Sequence, residues 1–222
     1  MPKYFNMEKD TVHHLKRVLR IRVGEDFLLS DGNEVDHYCV VTSLEPFSYK
    51  IVRSETCQNE LPYRVSLYQA VPKADKLEWI VQKAVELGAY EIVPIYTEHC
   101  DVRSLSEIKH TRMQKIAESA AGQSMRGIIP QVILPMDFSY ALERAKPSSS
   151  LQIVAHEKAT QAFAKPNLHE NISIWIGPEG GFSHNEIESF VKCGFQIVNL
   201  GSRILRTETA AIAILAAITI GR

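Results

Sequence analysis

Ile174-Trp175-Ile176-Gly177-Pro178-Glu179-Gly180-Gly181-Phe182-Ser183 is the stretch around which the chain is organised. An apolar run enters a turn that holds three glycines and one proline. Ser183-His184-Asn185-Glu186 follows with the spacing of a capping box, in which Ser183 accepts from the Glu186 amide and Glu186 reaches back to the Ser183 amide. The pattern predicts a buried strand, a tight loop and a capped helix. Glycine permits positive φ and lets a ligand approach the backbone closely. Loops at the carboxyl ends of parallel strands are where open α/β sheets bind ligands. Taken alone, such a turn is better read as only a turn. A second stretch changes that balance. Gln196-Ile197-Val198-Asn199-Leu200 is another apolar strand, and it runs into Gly201-Ser202-Arg203-Ile204-Leu205-Arg206-Thr207-Glu208-Thr209-Ala210. An apolar helix over 211–220 then closes the pattern. If the two strands are parallel neighbours, both glycine-bearing loops lie on one rim.

The chain has 222 residues, 45% of them hydrophobic, enough for one large or two small domains with a real core. A net charge of -1 excludes a whole-molecule field that gathers nucleic acid, so any RNA site must be a local basic patch. Cys39, Cys57, Cys100 and Cys193 are scattered with no Cys-x-x-Cys pair, which speaks for reduced thiols and against structural zinc. His13, His14, His110, His156, His169 and His184 show no metal-ligand spacing, so no metal is expected. The polar N-terminus has no signal core. The longest apolar run, 210–220, is too short to span a bilayer. A soluble, cytoplasmic protein is expected.

Residues 1–62 lean towards β structure. His13 to Arg22 predicts a short basic helix, Phe27 to Ser30 a strand, Asp31-Gly32-Asn33 a hairpin turn, and Tyr38–Thr42 and Tyr49–Val52 further strands. This pattern suggests a small barrel, with Ser54 to Pro62 as linker. From Tyr63 to the end, strand and helix alternate, which implies a mostly parallel sheet. Strands are predicted at 65–70, 92–96, 131–134 and 151–155, and helices at 75–87, 105–121 and 138–144. Pro94 marks its strand as irregular or at an edge. Pro147-Ser148-Ser149-Ser150 reads as a surface loop.

Three strand ends converge in this reading: Ala155-His156-Glu157, Gly177 to Gly181, and Leu200-Gly201. With them, several other stretches carry a resemblance. Lys3-Tyr4-Phe5, His14, Val18-Leu19-Arg20, Gln69-Ala70-Val71-Pro72-Lys73, Gln82 to Gly88, Ile176 to Ser183 and Leu200 to Ala210 are similar to the 16S ribosomal RNA (uracil-N3)-methyltransferases of the SPOUT superfamily. The resemblance covers nearly the whole chain. It implies an α/β C-terminal domain over 63–222 with a deep trefoil knot, a rare exception to unknotted connections. It implies a PUA-like RNA-binding β-barrel over 1–62. It further implies S-adenosyl-L-methionine as cofactor, a homodimer, and methylation of a uridine near the decoding centre of the small ribosomal subunit. His99 stands where arginine is common in that family, and Gly122 where an acid is common.

The cofactor-binding set expected on this basis is His156, Glu157, Ile176, Gly177, Pro178, Glu179, Gly180, Leu200, Gly201, Ile204, Leu205, Arg206, Thr207 and Ala210. Backbone groups of Gly177, Gly180, Leu200 and Leu205 are candidates to read adenine and ribose. The Gly-x-x-x-x-Gly-Lys-Ser/Thr spacing of a phosphate cradle is missing, which rejects a nucleotide hydrolase. Arg206 is the candidate catalytic residue: uracil N3 must lose a proton, and a guanidinium can stabilise the charge that develops on the uracil oxygens. The alternative pairs Arg206 structurally with Glu208 or Glu179. The base is open between Glu179 and solvent. Glu208 and Thr209 are read as the start of the last helix. Lys16, Arg17, Arg20, Arg22, Lys73 and Arg126 are the candidate RNA contacts, with Lys109, Arg112 and Lys115 beside Arg126; each cluster is equally a solvated face. Two further readings stand beside the first: a knotted methyltransferase with another RNA target, and a non-catalytic RNA-binding or ribosome-assembly module.

Overall fold

A computed structural model describes residues 9–146, 151–166 and 171–220. The loop expected at 147–150, the opening motif at Lys3-Tyr4-Phe5 and His169 lie outside these residues. The chain divides into two compact units. One runs up to Glu60 and includes Arg126–Ile128; the other takes Leu61–Met125 and continues from Ile129.

In the smaller unit, helix α1 (Lys9–His13) continues into a π-helical turn at His14–Val18. Strands β1 (Asp26–Ser30), β2 (Val35–Leu44) and β3 (Phe47–Thr56) form an antiparallel sheet in that order. The β1–β2 hairpin forms as its turn residues predict: the Asp31 carboxylate accepts from the amides of Asn33 at 2.7 Å and Val35 at 3.1 Å. Among the described residues this is a three-stranded sheet, where the strand pattern suggested a barrel. One further bridge joins Asn33 to Ile128. The basic helix begins earlier than its sequence suggests and ends before Arg20, whose φ of 52° breaks the helical path.

The larger unit is a wholly parallel sheet. Its strands are β4 (Val65–Ala70), β5 (Glu91–Tyr96), β6 (Gln131–Val132), β7 (Met136–Asp137), β8 (Leu151–Ala155), β9 (Ile172–Ile176) and β10 (Gln196–Val198). The order is β10-β8-β9-β4-β5-β6, with β7 also on β5. Helices α2 (Lys76–Glu86), α3 (Glu107–Gln123), α4 (Phe138–Ala145), α5 (His184–Lys192) and α6 (Thr207–Thr219) connect and cover it. Parallel strands covered on both faces read as unbroken apolar runs. Accordingly every residue of β4 and of β9 is buried.

Trp175 fixes the middle of this core. Its ring stacks on Tyr68 at 4.1 Å, while Phe138 and Phe190 meet it edge-on. Two buried polar clusters are satisfied from within. Arg144 donates to both Glu91 oxygens at 2.9 and 2.7 Å, and Ser66 adds a third bond at 2.8 Å. Burial pushes the Glu91 carboxyl up, but these partners outweigh it and hold it below the usual carboxylate range.

Pro94 is irregular without being at an edge. Ile92 directs its carbonyl to the β6 side, where it accepts from Ile133, so Pro94 two residues on faces the same way. There it meets the gap between β6, which pairs to Ile92, and β7, which pairs from Ile95. A missing N–H costs nothing where no strand is waiting for it. A second difference bears on the site. β9 and β10 are not neighbours, because β8 lies between them. All three are parallel, so their carboxyl ends still share one rim.

Candidate active site

β9 delivers the chain into the glycine loop at Gly177. Here the backbone folds back on itself: a Cβ on Gly177 would lie 3.2 Å from Gly181 and from the Phe182 amide. The Gly181 amide closes the turn on the Pro178 carbonyl at 2.9 Å, and Gly181 takes φ +70°, which favours glycine. The capping box forms in both directions between Ser183 and Glu186. The other Glu186 oxygen accepts from the Glu98 amide at 2.8 Å, tying the loop after β5 to the same corner. His99 then reaches over the loop, its Nδ1 lying 3.0 Å from the Gly180 carbonyl and 3.1 Å from that of Gly181. A Cβ on Gly180 would stand 3.0 Å from the His99 Cβ. The closest claim on this glycine is therefore His99, a residue the sequence singled out only as a departure.

The second loop leaves β10 through Asn199, whose side chain donates to the Ala159 carbonyl at 2.8 Å and accepts from the Gly201 amide at 3.2 Å. Gly201 turns the chain at φ +103°. Residues 201–204 are exposed, and Arg206 takes the N-cap position of α6. Thr207 is buried and closes the loop. Its hydroxyl donates to the Gly177 carbonyl at 2.6 Å and accepts from the Gln69 amide at 2.9 Å. One hydrogen-bonded chain thus joins β4, the start of α6 and the glycine loop. Gln69 belongs to a stretch quoted for resemblance, but nothing in the sequence signalled this bond.

The acidic residues of the rim are tied up by Lys76. Its Nζ lies 2.8 Å from a Glu179 oxygen and, at ion-pair distance without hydrogen-bond geometry, 3.4 Å from Glu208 Oε2. The Lys73 amide also donates to Glu179. Burial pushes the Glu179 carboxyl up, but Lys76 and the amide contacts outweigh it and hold it below the usual range. A carboxylate so stabilised is a poor proton acceptor, which weakens Glu179 as the base. Both acids expected to pair with Arg206 pair with Lys76 instead. Among the described residues, the guanidinium groups of Arg203 and Arg206 make no hydrogen bond or ion pair.

All fourteen residues expected at the cofactor line one cavity of about 380 Å³, at the carboxyl ends of β8, β9 and β10. That volume falls within the ~300–1,000 Å³ of small-molecule sites. Lys76, Ala155, Gly181, Phe182 and Arg203 line it too. Lys76 opens the helix after β4, a strand of the same sheet, which is the signal that would have found it. His156 forms part of the wall, with Nδ1 3.5 Å from Glu157 Oε2. The Gly177 and Gly180 carbonyls each already accept one bond from within the fold. Their expected role in reading a nucleoside narrows to their remaining lone pairs.

The candidate RNA contacts divide. Arg17, Arg20 and Arg22 are exposed. Lys16 is half-buried, bonded to the Leu44 carbonyl and the Glu45 carboxylate. Lys73 is exposed but paired with Asp101 at 2.7 Å, and Arg112 with Glu78 at 2.9 Å. Arg126 corrects the expectation. It is buried, and its guanidinium holds Glu60 through bonds of 3.2 and 2.7 Å. Its charge serves the smaller unit's interior rather than a phosphate.

Comparison with known proteins agrees with this geometry. An RNA methyltransferase domain family matches residues 59–219, and an RNA methyltransferase PUA domain matches residues 8–48. A ribosomal RNA small subunit methyltransferase E of Mesomycoplasma hyopneumoniae is 36% identical, over 96% of this chain and 92% of its own. That of Bacillus subtilis is 32% identical, over 97% and 89%. The crystal structure of the Neisseria gonorrhoeae protein of that name, bound to S-adenosyl methionine, superposes with a TM-score of 0.85 at 32% identity, over 98% of this chain and 94% of its own. With a parallel sheet whose strand ends open on one cavity, and with these relatives along nearly its whole length, the chain belongs to the ribosomal RNA small subunit methyltransferase E family of SPOUT methyltransferases.

Proposed function

We propose that this protein transfers a methyl group from S-adenosyl-L-methionine to N3 of a uridine in 16S ribosomal RNA. The observation that carries the reading is the cavity at three adjoining strand ends, walled by backbone-rich loops and edged by an unpaired guanidinium. Its floor is apolar, with Ile176 and Phe182 buried, which suits the flat face of an adenine. Glu157 is exposed at its edge, which suits a cationic sulfonium ligand. When bound, the cofactor supplies an electrophilic methyl on sulfur.

The chain supplies orientation and charge. Uracil N3 loses its proton, the new N3–C bond forms as the C–S bond breaks, and the products are a methylated uridine and the neutral thioether. Arg206 faces the anionic uracil oxygens, where a planar fork meets two acceptors better than a point charge does. Glu179 stays with Lys76, so the proton leaves to solvent. The exposed Arg17, Arg20 and Arg22 hold phosphates of the same RNA. The protein works as a homodimer in the cytoplasm, with its RNA.

Calorimetry with the cofactor, followed by mass-spectrometric mapping of 16S RNA from a strain lacking the gene, tests this. Binding, together with one uridine that regains its methyl on incubation, is the expected result. Absent cofactor binding would favour a ribosome-assembly module, and a methyl elsewhere would favour another RNA target. Sedimentation separates monomer from dimer.

A further inference from the structure

We propose that Ile204 is the apolar platform on which the target base is set, with Arg203 holding the phosphate beside it. The proposal rests on the RNA methylation proposed above and assigns part of its substrate site. A single exposed isoleucine on a protein surface ordinarily needs no explanation. Three observations set this one apart. It lines the cavity, yet is 83% exposed, whereas the other large apolar walls, Ile176 and Phe182, are 2% and 6% exposed. It sits between Arg203 and Arg206, which make no ion pair among the described residues and also line the cavity. And its loop is fixed at both ends, by Asn199 on the Ala159 carbonyl and by Thr207 on the Gly177 carbonyl.

The reaction explains why such a residue is needed. N3–H lies on the pairing edge of uracil, so a uridine that reacts there is unpaired and turned out of its stack. Its faces lose apolar contact, and a rigidly held apolar side chain at the mouth of the reaction cavity restores part of it. Ile204 supplies that surface without offering hydrogen bonds that compete for the base edge. The neighbouring acids Glu179 and Glu208 share Lys76, which limits their repulsion of the incoming phosphate.

The test uses full-length protein with 16S RNA and small subunits from a strain lacking the gene. Ile204→Ser should raise the KM for RNA about tenfold, the size of one lost base-stacking contact. Its cofactor Kd and sedimentation should be unchanged. Ile204→Met, which keeps the apolar surface, should stay within about twofold of wild type. Arg203→Gln should flatten the slope of log K against log salt by about one unit. A cofactor Kd that weakens in step would assign Ile204 to the cofactor wall and overturn the proposal. So would a changed oligomeric state, which would assign it to a second copy, or an unaltered KM. If the wild-type protein methylates no 16S uridine, the proposed function fails. Equilibrium binding of the same RNA then decides the platform alone, with equal affinity of wild type and Ile204→Ser overturning it.

Discussion

Between Gly177 and Phe182 the chain is gripped from behind; between Gly201 and Arg206 it is held at its two ends. The first loop accepts from His99 and from Thr207, and its acid is fixed by Lys76. The second exposes four residues in succession and leaves two guanidinium groups unpaired among the described residues. A loop that defines a pocket must not move when a ligand arrives, because positional error costs rate. A loop that meets a large substrate needs its charges uncommitted. The contrast predicts that changes in the second loop act on transfer, while changes in the first act on cofactor affinity and stability.

The largest effect is expected at Arg206. Arg206→Ala should lower the single-turnover methylation rate about a hundredfold at saturating cofactor and RNA, as loss of an oxyanion donor does. Binding of both should change much less, since the charge it meets is greatest near the transition state. Arg206→Lys should recover only part of the rate. A near-normal rate in Arg206→Ala would remove the catalytic assignment and erase the contrast between the loops.

Gly177 probes the other side. A methyl placed there meets backbone at 3.2 Å, and backbone gives way only by moving the loop. Gly177→Ala should weaken cofactor binding about tenfold, consistent with an overpacking cost of ~1–3 kcal/mol. The transfer rate at saturating cofactor should stay close to wild type. Calorimetry and single-turnover kinetics on one preparation separate the two, and an intact cofactor Kd would show that this loop yields.

How far these loops were legible follows from what each is made of. The strand–loop–helix units, the capping box and the shared rim rest on local patterns, and Ile174 to Glu186 contains them all. The fourteen cavity residues were readable because a family resemblance marked the same stretches. The missed contacts are long-range. Gln69 and Thr207 meet 138 residues apart in sequence, and His99 meets Gly180 across 81. No periodicity reports such a pair. Arg126 failed for the related reason that a lone basic residue looks the same whether it faces phosphate or Glu60. Pro94 was half legible: the missing donor was evident, but not the gap between two short strands that accommodates it.

A smaller effect tests the grip on Gly180. Gly180→Ala should destabilise the protein by ~1–2 kcal/mol, because the new Cβ crowds the His99 Cβ at 3.0 Å. His99→Ala keeps that Cβ and should not relieve the clash. His99→Gly should relieve it, so a double-mutant cycle between Gly180→Ala and His99→Gly should return a coupling of ~1 kcal/mol. Additive melting data would show that something other than His99 demands glycine here.

The smallest change concerns the acid of the gripped loop. Burial raises the Glu179 carboxyl and Lys76, with the Lys73 amide, lowers it further than burial raises it. A group whose folded pKa is depressed adds stability that is present above its unfolded pKa of ~4.3 and is lost as pH falls through the folded value. Lys76→Met removes the stabilising ammonium and leaves the burial. It also leaves Glu179 and Glu208 without the cation they share, and each then raises the other. The midpoint of Glu179, followed by carboxyl carbon NMR, should therefore move from below the ordinary carboxylate range to above it. The sign of its linkage reverses with it: the Glu179 contribution in the variant should improve as pH falls, where in the wild type it is lost. Arg206, which contacts neither acid, should keep its role, so the single-turnover rate at neutral pH should change little. A midpoint that stays low in Lys76→Met would assign the stabilisation to the Lys73 amide alone, and the first loop would then be gripped by backbone rather than by charge.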